Sequence, residues 1–189
     1  MPKQDKLPSK KSENRKLKLA AAIEVLKSLD EKKFSSALDD LKMYGDDSII
    51  AVLANLYSKC SHDQQLQITT FIADIKDEEA QNTLVETILD EKDEATRIAF
   101  LSAIWSSGLD FSEFLYEFVR IAIKGTLLDA IECYTIIENL EGPFEEDVVM
   151  GSKVFIKENM ESILKDAQKG VLLGDILLKI EEFDQQLES

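Results

Sequence analysis

Four apolar residues, Leu41, Ile72, Ile104 and Ile136, recur at intervals of 31, 32 and 32, and each precedes a turn signal and a second apolar helical pattern. A period of that length marks a helical-repeat array, because one helix pair cannot bury its apolar face alone and must stack on its neighbours. The chain is therefore expected to fold as a stacked α-solenoid, with binding surfaces along the stack and no catalytic cup. Its 189 residues, 44% of them apolar, can supply one continuous core without disulfide staples.

The punctuation is regular. A capping box, in which a short polar side chain bonds an early free backbone donor and a residue three positions on reaches back, is legible at Ser28–Glu31, Ser61–Gln64, Asp110–Glu113 and Thr126–Asp129. Glycines that can enter the left-handed conformation mark stops at Gly45, Gly108, Gly125, Gly142 and Gly170. These signals predict four helix pairs: 31–44 with 47–60, 62–75 with 78–90, 93–107 with 111–124, and 127–141 with a longer segment within 144–168. Helices over 17–29 and 171–187 are expected to cap the two ends, and no strand is expected.

Charge is distributed unevenly. Residues 1–19 hold seven cations against Asp5 and Glu13, a net of +5, so the rest of a chain with total charge −15 carries −20. The sequence divides into a disordered basic tail over 1–16 and a single helical-repeat domain over 17–189. An acidic body repels phosphate backbones, so nucleic acid is expected at most on the tail, and basic proteins are the better candidate partners. The folded part is expected to offer no basic groove. Cys60 and Cys133 are too few and too far apart for a disulfide framework, and the chain has neither a leader-like apolar segment nor a span of about 18 apolar residues. A reducing, cytoplasmic location without membrane insertion is the corresponding expectation.

Six of the fourteen aromatics fall between Phe100 and Phe118. Phe114, Phe118 and Ile121 form one helical stripe, and Leu115, Val119 and Ala122 form another beside it. Tyr116 lies off these stripes, and Trp105 stands next to the polar Ser106 and Ser107. Residues with one apolar and one polar end serve well as interface anchors, so Trp105 and Tyr116, with the neighbouring Phe111, are candidate partner contacts. The competing reading is that a central repeat simply needs apolar residues all round. A second candidate is the acidic set Glu141, Glu145, Glu146 and Asp147, which could attract a lysine-rich segment or merely complement a helix dipole. His62 is the only histidine, which is too few for a zinc or di-iron site, and no catalytic, cofactor or metal-binding set can be assembled.

Two antiparallel helices per repeat, a short turn holding an acid or glycine, and apolar anchors late in the first helix resemble the HEAT and armadillo-like repeats over about 30–168, in the short form of bacterial repeats. The tetratricopeptide pattern is absent, since Trp105 is followed by Ser-Ser-Gly-Leu. The resemblance implies an all-α, right-handed superhelix of about four helix pairs and a non-enzymatic role as a protein-binding scaffold or adaptor. Two alternatives remain on such a scaffold. One is a nucleic-acid-processing or chromophore-lyase-like enzyme, and the other is a structural subunit of a larger complex.

Overall fold

The structure, a computed structural model, describes residues 10–44, 47–77, 79–163 and 167–187. Among them there is no strand, and the elements run α1 (Lys10–Lys27), α2 (Glu31–Tyr44), α3 (Ile49–Tyr57), α4 (His62–Ala73), α5 (Glu79–Asp90), α6 (Glu94–Ser107), a 3-10 turn (Ser112–Phe114), α7 (Leu115–Lys124), α8 (Leu127–Glu138), α9 (Glu146–Ile163) and α10 (Ala167–Leu187). No helix among them is long and apolar enough to cross a membrane.

Helix α1 begins at Lys10, seven residues before the expected start at residue 17. The lysines, arginine and glutamate after Pro8 are good helix formers with no breaker among them, and helix propensity extends the helix where apolar periodicity is silent. The rest of the expected tail, 1–9, lies outside the described residues, as does Gly45.

Local chemistry sets the ends of several helices. Ser61 with Gln64 and Thr126 with Asp129 form complete capping boxes. The other two boxes are replaced. Asp30 Oδ1 accepts from the Lys32 amide, while Ser28 Oγ turns back to donate to the Val25 carbonyl. Asp110 Oδ1 takes both the amide and the hydroxyl of Ser112. Gly108 ends α6 at φ 71°, the left-handed conformation expected of it. Gly125 ends α7 in an extended conformation, and its lack of a side chain serves another purpose: a Cβ there would stand 2.4 Å from Asp129 Oδ2. Gly170 lies inside α10 and stops nothing.

Tertiary packing is alternate. Helices α2, α4, α6, α8 and α10 pack in one series, and α3, α5, α7 and α9 in a second. The periodic apolar residues Leu41, Ile72, Ile104 and Ile136 sit late in four successive members of the first series, and all are buried. One apolar cluster runs from Ala22 of α1 to Phe183 of α10. Four polar contacts fall at the same spacing, Lys42–Asp74, Lys76–Ser107, Arg97–Asp129 and Lys153–Asp184, at 32, 31, 32 and 31 residues, whereas Trp105–Glu132, Gln81–Asp110 and Thr83–Asp47 stand 27, 29 and 36 apart.

The intimate sequential hairpins are offset by one helix from the expected pairs. Helix α7 packs on α8, and α9 on α10, more extensively than either packs on the helix before it. Linker length explains the offset, since short links force antiparallel neighbours together. Only Gly125 and Thr126 separate α7 from α8, whereas residues 139–145 separate α8 from α9. Helix α10 closes the end as expected, burying Leu173, Ile176, Ile180 and Phe183, although Leu187 is exposed. Phe144 reaches from the α8–α9 link to stack on Phe183 with centroids 4.1 Å apart.

Candidate functional site

The second series carries an acidic groove between α7 and α9. On α9 the buried stripe Val149, Ser152 and Ile156 faces the core, which leaves Asp147, Gly151, Val154 and Glu158 along a different face at helical spacing. On α7 the residues Leu115, Phe118, Val119 and Ala122 are buried, so Tyr116 and Glu117 are displaced to the outer edge beside Glu113. These two edges enclose a groove of about 510 Å³. Its floor is Tyr116, Val148, Val154 and Phe155, and its carboxylates are Glu113, Glu117, Asp147 and Glu158.

The floor is fixed by ring packing. Tyr116 and Phe155 lie with centroids 5.6 Å apart, and Lys124 Nζ stands 5.7 Å from the Phe155 centroid. Gly151 carries no side chain beside Tyr116, where a Cβ would reach to 3.8 Å of the ring. The groove therefore combines an apolar bed with four carboxylates and no cation among its lining residues, an arrangement that can hold an aliphatic stem while placing a positive head among acceptors.

The candidate contacts read from the sequence are dispersed. Tyr116 and Asp147 come together in this groove. Trp105 lies in the other helix series, on α6, 49% exposed, with Nε1–H donating to Glu132 Oε2 of α8 at 3.3 Å. Burial pushes the Glu132 carboxyl above its ordinary range, although the indole N–H opposes the shift. Phe111 is a correction: it is 1% exposed and packs against Phe114 and Phe118, with centroids 5.9 and 6.3 Å away. The Gly108 turn and the 3-10 turn delay the helix to Leu115, so extrapolating a helical face back to residue 111 misplaces that ring. Glu141, Glu145 and Glu146 are exposed around the start of α9, where the Glu145 carbonyl accepts from the amides of Val148 and Val149.

Glu113, Glu117, Val154, Phe155 and Glu158 were missed. Val154 carried a signal, being an apolar residue outside the stripe of its own helix, but the pairing of α9 with α7 could not be read from either segment alone.

Burial pushes the Cys133 thiol well up and raises Cys60, the direction opposite to an activated nucleophile. His62 is the exposed first residue of α4. Among the described residues no three His, Cys, Asp or Glu side chains are grouped to hold a metal ion. No protein-family model, curated protein or solved structure matches the chain.

Proposed function

We propose that the protein is a non-enzymatic interaction module of the HEAT/armadillo-like kind, a right-handed α-solenoid whose groove between α7 and α9 receives a cationic segment of another protein. The solenoid reading is supported by the alternate packing of two helix series and by interhelix contacts at the 31-to-32-residue spacing. The binding reading rests on one observation: four carboxylates and no cation line a groove with an apolar floor, where Lys124 Nζ stands over the Phe155 ring. Lysine and arginine stems would lie on Tyr116, Val154 and Phe155 while their heads meet the carboxylates, which also steer the encounter.

The test is a titration of the full chain with a fluorescent Lys/Arg-rich peptide at two ionic strengths. Glu113→Gln/Glu117→Gln/Glu158→Gln should weaken binding about tenfold or more, in keeping with loss of charge-assisted bonds, whereas Trp105→Ala should leave it unchanged. An affinity indifferent both to salt and to the triple substitution would refute the reading.

A structural-subunit reading draws on a different patch. Leu128 and Ile131, 54% and 41% exposed, share α8 with Glu132, whose carboxylate accepts from Trp105 of α6. A second chain covering this patch permanently would give a concentration-independent dimer mass.

A further inference from the structure

We infer that the pocket where the end of α5, the start of α6 and the end of α7 meet is an anion site for a phosphomonoester. The body of this chain is strongly acidic, and the expectation of no basic concavity in it is wrong at this place. The whole sequence has three arginines, Arg15, Arg97 and Arg120, and both that lie beyond α1 line this pocket of about 280 Å³, together with Lys92 and Lys124.

These cations are gathered in one concavity. Lys27, Lys33, Lys42, Lys153 and Lys179 each have a carboxylate partner. Among the described residues Lys92, Arg120 and Lys124 have none, as is true of Lys32, Lys59 and Lys157, but only the first three line one pocket with Arg97, and Lys124 Nζ also stands over the Phe155 ring. Arg97 is held rigidly: its Nε and Nη2 donate to Asp129 at 2.8 and 2.7 Å, and its Nη1 donates to the Glu91 carbonyl at 3.1 Å. Three of its five N–H groups are thereby used, and two remain on a guanidinium whose orientation is already fixed.

Lys124 stands in the last turn of α7, where a cation complements the helix dipole. At the C-terminus of α7 the Gly125 amide bonds the Ile121 carbonyl, and Lys169 Nζ reaches the carbonyls of Ile123 and Gly125 at 2.7 and 2.6 Å. The carbonyls of Ile121, Ile123 and Gly125 are thus satisfied without Arg120.

Charge selects the ligand class. Four cations line the pocket with one carboxylate, Glu91, and Arg97 also meets the charges of Asp129 and Glu94, which leaves a cationic excess. A phosphomonoester carries about −1.5 to −2 at neutral pH and presents three acceptor oxygens, so it can meet several of these donors at once, which a single carboxylate with two oxygens does less fully. Ile88, Leu89 and Ile121 form an apolar wall against which the ester's carbon part can lie. The phosphomonoester can be a free organic phosphate or the side chain of a phosphorylated protein, since the pocket meets the same dianion in both.

The experiment uses the full ¹⁵N-labelled chain and follows amide shifts at residues 91–97 and 120–125 while inorganic phosphate, phenyl phosphate or a phosphoserine peptide is added, with acetate as the control anion. The expected result is saturable shifts with at least one phosphomonoester and none with acetate. Lys92→Gln/Arg120→Gln should weaken that binding roughly tenfold or more, and Lys157→Gln, outside the pocket, should not change it. Arg120→Lys, which keeps charge but loses the planar fork, should fall between them and guards against a folding defect in the double variant. Preference for phenyl phosphate identifies a free ligand, and preference for the peptide a phosphorylated partner. Absence of saturable shifts, or equal affinity in the double variant with its amide spectrum intact, would overturn the assignment. Because the pocket shares no lining residue with the α7/α9 groove, either outcome leaves the cationic-segment reading to its own test.

Discussion

Asp129 carries three duties at once: it closes the capping box of α8, receives both prongs of Arg97 from α6, and fills the space left by Gly125. Its carboxylate has no exposed surface. Burial alone would raise its pKa, yet Arg97 and the Thr126 amide outweigh that effect and hold the group below the ordinary aspartate value. A depressed folded-state pKa stabilises the native state above the unfolded pKa of about 3.9, and this contribution is lost as pH falls through the lower folded value. Urea midpoints measured from pH 6 downward should therefore drop below about pH 4, and the drop should be smaller in Asp129→Asn. Asp129→Asn should itself cost about 3–5 kcal/mol at neutral pH, because it strands a largely buried arginine. At this scale the sequence was half legible. The Thr126–Asp129 box is local and could be read directly. The Arg97 partner stands 32 residues away and follows only from stacking.

Helices were the most legible elements, because apolar periodicity and capping chemistry are encoded within a few residues. Their partners were less so, since linker length decides which consecutive helices pack tightly and a stacking period does not. Glycine illustrates how context decides an effect that residue type alone leaves open. Gly108 adopts φ 71° with open space around its missing side chain, so Gly108→Ala should cost about 1–2 kcal/mol from backbone strain alone. Gly174 lies within α10, also with nothing within 4 Å, so Gly174→Ala should gain about 0.5–1 kcal/mol. Thermal unfolding of the two variants checks both signs in one comparison. Gly151→Leu is a separate probe, since its side chain would enter the groove beside Tyr116 and should block peptide binding while the melting temperature holds.

For the whole molecule, charge asymmetry was legible from composition, and the proposal of a cationic partner draws on it. Its spatial grain was not legible. Carboxylates gather at the α7/α9 groove, while Lys92, Arg97, Arg120 and Lys124 form a cationic pocket within the same acidic body. No residue count distinguishes that arrangement from a uniform surface. The aromatic anchors were likewise separated by the fold, with Trp105 in one helix series, Tyr116 in the other and Phe111 in the core.

The most direct test of the central claim is a backbone amide map of the full chain titrated with a Lys/Arg-rich peptide. Saturable, salt-sensitive shifts concentrated at residues 113–117 and 147–158 are the predicted result. Shifts centred on α6 and α8 around Trp105 and Glu132, or no saturable shifts at low salt, would contradict it.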